Sequence, residues 1–321
     1  MIAKKGTHYV VLIIAILVLN FALPRLMPGS PMSRVMNEAS GQLTPEQRER
    51  LVADFNLDKP VTIQFFEYIK DIFTLNLGMS FSRNQPIATL LAQALPWTIL
   101  LAVSNLVLST LLGTALGAFS AYLRKKRRDF PLIMAITILG AFPTFWIGMV
   151  LLSVFGVGMR LFPLFGAYSM WGTDGSAFLD VLRHLALPLT TLVLVTVGIF
   201  FTTSRYSVLF VLEQDYIKMA RARGISRVRI NTQYIVRNSL IPVFTLLMME
   251  AGFIFSGAVV IEKLFSYPGI GLLLYDAVMA RDYPLMQYSF LLTSLTVIFA
   301  AFLADVMNGV IDPTMRNAYE K

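Results

Sequence analysis

Asp215-Tyr216-Ile217-Lys218-Met219-Ala220-Arg221-Ala222-Arg223-Gly224-Ile225-Ser226 lies in a strongly basic loop between two runs that carry almost no charge. The run before it, residues 184–204, lies between Arg183 and Arg205; the run after it, 238–261, holds one acid, Glu250. A spanning helix needs about 20 apolar residues, and both runs meet that length. Working outward, similar windows occur at 6–24, 84–123, 130–159 and 283–311, the last with a single acid, Asp305. Pro96 places the entrance of the second span at 97–122. Six spans are therefore expected. Composition agrees: 14% of the 321 residues are charged, against about 25% in soluble domains.

The loops set the orientation. Lys4 and Lys5 precede the first run, and Arg124, Lys125, Lys126, Arg127 and Arg128 follow the second. The loop after the fourth run carries Arg205, Lys218, Arg221, Arg223, Arg227, Arg229 and Arg237 against Glu213 and Asp215. The alternate loops are balanced: residues 28–96 hold six basic and seven acidic side chains. Basic loops face the cytoplasm, so both termini are expected there. The net charge of +8 is that same bias and does not mark a nucleic-acid binder. The first run resembles a signal peptide, but no small-residue cleavage site follows it, and it reads as an uncleaved helix.

The basic loop reads as helix, tight turn, helix. Residues 213–223 are good helix formers without proline. Gly224 suits a left-handed C-terminal cap, and Ser226 suits the N-cap of a second short helix. Alanines and glycine keep the backbone thin near the turn, while the arginines around it steer and orient a partner. The segment returns to the membrane at about residue 238 and has no core of its own. A docking piece for a soluble protein is the expectation.

Residues 28–96 are too long for a simple connector. Leu43-Thr44-Pro45-Glu46 opens one expected helix, with Leu51, Phe55 and Leu57 on its apolar side. A second, 61–75, places Phe65, Phe66, Ile69, Ile72 and Phe73 at helical spacing. Lying on the outer membrane face and forming a small cap both fit this pattern. On the second span Ser109, Gly113, Gly117 and Ala121 recur every four residues, which lets another helix approach closely. Catalysis finds no support. There is no cysteine, His8 and His184 are far apart, and no Gly-x-x-x-x-Gly-Lys-Ser/Thr loop or Gly-x-Ser-x-Gly elbow occurs. No metal or cofactor set is expected on this chain. Phe165, Tyr168, Met170 and Trp171 suggest an apolar substrate cradle, but interfacial anchoring by the aromatic rings is the commoner explanation.

Ala220-Arg221-Ala222-Arg223-Gly224, followed by Arg237-Asn238-Ser239-Leu240-Ile241-Pro242, resembles the cytoplasmic signature of ATP-binding-cassette importer permeases. The branch that imports dipeptides, oligopeptides and nickel is the nearest likeness. It extends along the chain through Leu26-Met27-Pro28-Gly29-Ser30-Pro31, Leu57-Asp58-Lys59-Pro60, Leu77-Gly78-Met79-Ser80-Phe81-Ser82 and Pro143-Thr144-Phe145-Trp146. Arg183-His184-Leu185-Ala186-Leu187-Pro188, Phe265-Ser266-Tyr267-Pro268-Gly269-Ile270-Gly271, Arg281-Asp282-Tyr283-Pro284 and Asp312-Pro313 continue it. Two positions depart: the branch usually has tryptophan at Tyr267 and a neutral polar residue at Glu250.

The resemblance implies an all-α polytopic inner-membrane protein of the type I importer fold. Its parts would be a first helix within 1–27, an extracytoplasmic segment 28–96 and a core of five further spans over 97–321. It implies three kinds of partner besides the bilayer: a second homologous permease, two cytoplasmic ATPases that carry ATP and Mg, and an extracytoplasmic substrate-binding protein. The coupling element near 213–237 would meet one ATPase through Tyr216, Ala220, Arg221, Ala222, Arg223 and Gly224. Glu250, Gly252 and Ser256 are candidates for lining the pathway, because a carboxylate at the bilayer centre costs roughly 2.5–3.5 kcal/mol on insertion scales and seeks the bundle interior. Asp305 is expected to be a structural partner for Arg or Lys. Nickel, a metal chelate or an opine are alternative cargoes. An ion-gradient carrier using Glu250 and Asp305 is the rival of another class.

Overall fold

The computed structural model describes residues 2–26, 59–124, 128–169, 176–253 and 258–311. Among the described residues the chain is helical, with a single isolated bridge between Met79 and Pro86. The predicted helix around residues 44–57, the motifs at 26–31 and 312–313, Met170, Trp171 and Ser256 fall wholly or largely outside them.

In chain order the helices are α1 (Ile2–Leu26), α2 (Val61–Thr74), α3 (Ile87–Leu123), α4 (Phe130–Ala141) and α5 (Thr144–Leu151), which runs on as a π turn, Leu152–Gly158. They continue with α6 (Ala177–Leu212), α7 (Asp215–Ala222) and the single turn α8 (Arg227–Arg229), then a second π turn, Ile230–Val236. Last come α9 (Arg237–Phe253), α10 (Ala258–Leu264), α11 (Ile270–Ala280) and α12 (Tyr283–Ile311).

Among the described residues three helices are long and apolar enough to cross a bilayer: α3, α6 and, through Val306, α12. The pair α4 and α5 makes a fourth crossing only as a broken span, because it bends by 100°. This corrects the reading of 130–159 as one continuous span. Phe142 precedes Pro143 and is forced into extended backbone at ψ 142. The proline ring excludes the helical conformation at the residue before it. The rings of Phe142 and Trp146 stack across the corner at 4.6 Å. α3 also differs from expectation. It begins at Ile87, ten residues before the predicted entrance, and carries Pro96 inside. Its first turns bury Ile87, Leu90, Leu91 and Ala94 in an apolar cluster with α11 and α12, and that packing outweighs the hydrogen bond the proline removes.

α3 and α6 form the spine. The four small residues of α3 are all buried. A side chain at Gly113 would stand 2.6 Å from Phe200 Cβ, and one at Gly117 would stand 2.3 Å from the Phe201 carbonyl. Ser204 Oγ donates to the Thr114 carbonyl at 2.9 Å across the seam. α1 lies along α12: Tyr9 donates to Asp305 at 3.0 Å near one end, and Arg25 reaches Gln287 near the other. Asp305 thus accepts from a tyrosine of α1.

The core divides into clusters along the spine. At one end Ala121, Val208, Val211, Ile217, Ala220, Ile230 and Ile235 come together beneath the basic loop. In the second cluster Leu101, Ala167, Leu185, Leu187, Leu192, Ile261, Phe265 and Tyr267 are buried. The far end gathers Phe21 and Tyr68 with the early turns of α3, α11 and the start of α12.

Candidate functional site

The basic loop folds into an elbow of α7, a turn and α8. Ile217 is fully buried and Ala220 nearly so, and these two side chains pin α7 to the ends of α3 and α6. The turn is a Schellman closure. Gly224 N–H donates to the Arg221 carbonyl at 3.0 Å and Ile225 N–H to the Ala220 carbonyl at 3.2 Å, the 5→2 and 6→1 pattern of that motif. Gly224 sits at φ +74 with nothing within 4 Å of where a Cβ would stand, so backbone conformation, not space, requires glycine there. Ser226 Oγ accepts from Arg229 N–H at 3.4 Å, the expected N-cap.

Hydrogen bonds fix the elbow from both sides. Tyr122 of α3 donates to Asn231 at 2.9 Å. Asn238 donates to the Tyr234 carbonyl at 2.7 Å and to the Tyr216 hydroxyl at 3.4 Å. One turn above, Arg205 donates to Asp129 at 2.6 Å and to Ser120 at 3.1 Å, tying α6 to α3 and to the start of α4. The Arg205 hydrogen bond holds the Asp129 carboxyl below the usual carboxylate range, so the pair stays charged at neutral pH. At the outer surface of α7, Lys218 does the same for Asp215.

The elbow therefore has two faces. Ala220, named among the candidate contacts, points inward. Tyr216, Arg221, Ala222, Arg223 and Gly224 are exposed, and so are two apolar residues that sequence reasoning passed over, Met219 and Val228. Val228 is 74% exposed. Spacing held the clue: Tyr216, Met219 and Arg223 follow one another at i, i+3, i+7 and so share a side, about a quarter turn round the helix from Ile217 and Ala220.

The pathway candidates are less gathered. Glu250 is half-buried on α9 and has no hydrogen-bond or ionic partner among the described residues. Gly252 is helical two residues on. His184 Nδ1 donates to the Asp180 carbonyl at 2.9 Å, in a structural role at the start of α6. Among the described residues no three His, Asp or Glu side chains gather as a metal set.

Two acids outside the apolar runs, Glu262 and Asp282, are fully buried anchors. Glu262 accepts from Thr98 Oγ1 at 2.7 Å, Gly271 N–H at 2.7 Å and Leu272 N–H at 3.1 Å. Thr98 Oγ1 in turn accepts from Ile270 N–H at 2.8 Å. The carboxylate caps the positive N-terminus of α11 and ties it to α3. Asp282 accepts from Ser80 and Ser82 hydroxyls and from Ser82 N–H, and it caps α12 through Leu285 N–H at 3.2 Å. The motifs at 77–82, 265–271 and 281–284 are thus the parts of these two locks. Tyr267 fills its pocket completely and meets Trp97 edge-to-face at 6.0 Å; Trp97 stacks on Tyr168.

A spine of long apolar helices and an elbow with an exposed basic and apolar rim, with no metal set among the described residues, define a helical membrane protein. The comparisons with known proteins make that class specific. Residues 113–317 match the model of the binding-protein-dependent transport system inner membrane component, and the chain belongs to that family. It is 31% identical over 324 residues to the dipeptide transport system permease protein DppB of Escherichia coli (strain K12), covering 95% of both. It is 32% identical over 321 residues, 98% of both, to a putative peptide transport system permease protein of Brucella abortus (strain 2308). A di/tripeptide transport system permease protein of Pseudomonas aeruginosa (strain UCBPP-PA14) is 31% identical over 316 residues, 93% of both. The chain is therefore an inner-membrane permease component and not an enzyme; ATP hydrolysis belongs to separate subunits.

Proposed function

We propose that this chain forms half of the translocation pathway of an ATP-driven importer of di- or oligopeptides, paired with a second, related permease. It spans the membrane six times with both termini in the cytoplasm: α1 and α9 complete the set, and α4 and α5 together make one broken crossing. The elbow end is cytoplasmic. There α7 and α8 sit in a cleft of one of two ATPases, and closure of the ATPase pair swings the elbow and switches the bundle between inward- and outward-open states. An extracytoplasmic binding protein delivers the solute to the opposite end. The peptide assignment comes from the relatives' names and their near-complete coverage of this chain.

The observation that carries the coupling role is the two-faced elbow. Ile217 and Ala220 bury one side, so a force applied to the other side passes directly into α3 and α6. Tyr216, Met219, Arg221, Ala222, Arg223 and Val228 form the gripping rim, with Ala220 holding it in place from behind.

Gly224→Asp tests this reading. At φ +74 an L-residue costs about 1–2 kcal/mol, too little to unfold the protein, and the new carboxylate lies at the grip. We expect normal membrane levels with loss of ATP-dependent uptake. Normal uptake at normal protein level overturns the proposal. A proton- or sodium-driven carrier using Glu250 and Asp305 predicts something different: uptake by this chain alone, collapsed by an ionophore and indifferent to the ATPases.

A further inference from the structure

α2 has three sides, and two of them have evident partners. Phe65, Tyr68, Ile69 and Ile72 pack inward against Phe21 and the far-end core. Gln64, Asp71 and Thr74 lie on a polar side. Between these runs a third strip, where Phe66 is 72% and Phe73 is 81% exposed. The two rings are seven residues apart and so nearly eclipsed on the helix. Exposed Ile63 and Lys70 flank them.

The height of α2 is fixed by α1. Arg25, at the last turn of α1, donates to Gln64 at 2.8 Å and lies over the Phe21 ring at 3.5 Å. The rings of Phe21 and Phe65 meet edge-on at 5.1 Å. α2 therefore starts where the apolar α1 ends. Val18, Leu23 and Leu26 of α1 are exposed, the last 79%. Such side chains face lipid in an inner-membrane protein, and α2, held to the last turns of α1 through Arg25–Gln64 and Phe21–Phe65, sits at the level where they end.

We propose that α2 is an interfacial helix, seated on the outer leaflet with Phe66 and Phe73 inserted among the lipid headgroups and upper acyl chains. Aromatic rings on one side, acids and amides on another, and packing on the third are what a helix in the plane of the interface requires. Lys70, between the two rings along the helix, reaches out to the phosphates while its stem stays apolar. The helix acts as an outrigger. It fixes the depth of the α1–α12 pair, so that the far-end locks stay level while the elbow end moves. The word "outer" rests on the cytoplasmic placement of the elbow; the insertion itself does not.

The chain has no cysteine, so single-cysteine labels are clean. Phe66→Cys, Phe73→Cys, Asp71→Cys and Thr74→Cys are each labelled with an environment-sensitive fluorophore in the assembled transporter, reconstituted in phosphatidylethanolamine–phosphatidylglycerol vesicles. We expect nitroxide-bearing lipids to quench positions 66 and 73 severalfold more than 71 and 74, and aqueous iodide to show the reverse. Two outcomes overturn the proposal: iodide quenching at 66 and 73 equal to that at 74, which leaves the rings in water, or silence of 66 and 73 to both quenchers, which puts another protein segment or the delivery protein over them. A parallel Asn76→Cys variant, challenged with an impermeant maleimide from each side, reports sidedness separately. Lipid quenching with inside labelling retains the interfacial helix and refutes the orientation.

Discussion

Glu262 shows how a single side chain organises the far end of the molecule. Its two oxygens satisfy a hydroxyl from α3 and two backbone N–H groups of α11. A Cβ at Gly269 would stand 2.3 Å from that carboxylate, so glycine is what lets the chain wrap so closely around it. Glu262→Ala strands these donors in an apolar layer, at about 1–3 kcal/mol for each buried group left unpaired. Melting of the purified protein in detergent should fall steeply for Glu262→Ala and less for Glu262→Gln, which keeps the shape and one acceptor. An alanine variant that melts like the parent would show that the lock contributes nothing. Glu250 contrasts with it. A half-buried carboxylate without a partner among the described residues points away from a stability role, so Glu250→Gln should leave expression and melting unchanged while shifting the uptake preference between cationic and neutral peptides. Identical competition profiles for the two proteins would remove Glu250 from the pathway.

Among the elements, the seam between α3 and α6 depends on side chains that are not there. Gly117→Val places its branched carbons into the Phe201 carbonyl and Ser204, both of them parts of a packed helix that cannot yield locally. Overpacking of this kind costs typically 1–3 kcal/mol, and here it also pushes the elbow off its base. We expect a lowered melting temperature together with reduced coupling, measured as solute moved per ATP hydrolysed by the assembled transporter. Unchanged values of both would mean that the two helices are not held at contact distance. This seam was legible in the sequence, because small residues every four positions have a direct geometric meaning. The elbow was legible for the same reason: Gly224 and Ser226 are local signals for local geometry. The break at Phe142 was equally local, written in the Phe-Pro pair, yet an uninterrupted run of apolar residues masked it. Charge-free windows report solubility in lipid and are blind to direction. Glu262 and Asp282 were legible only in part. Each caps a helix N-terminus that follows within ten residues, but Thr98 and Ser80, which complete the locks, lie 164 and 202 residues away, and only tertiary structure buries the acids.

At the scale of the whole molecule the two ends are built differently. The far end is stitched by buried carboxylates that bond backbone amides, the costliest kind of contact to open in an apolar layer. The elbow end is held by small apolar contacts beneath an exposed rim, with the Arg205–Asp129 pair one turn above. Under the proposed coupling role, motion concentrates at the elbow end, because the buried carboxylate locks hold the far end. Hydrogen exchange on the assembled transporter follows both ends at once. Amides of Ile270, Gly271 and Leu272, which donate into the Glu262–Thr98 lock, should stay protected whether the ATPases are nucleotide-free or held closed. Amides of Arg223 to Arg229, around the Gly224 turn, should gain protection on ATPase docking and change again on closure. The reverse pattern, with a quiet elbow and an opening far end, would place the moving part at the delivery face and make the elbow a passive tether.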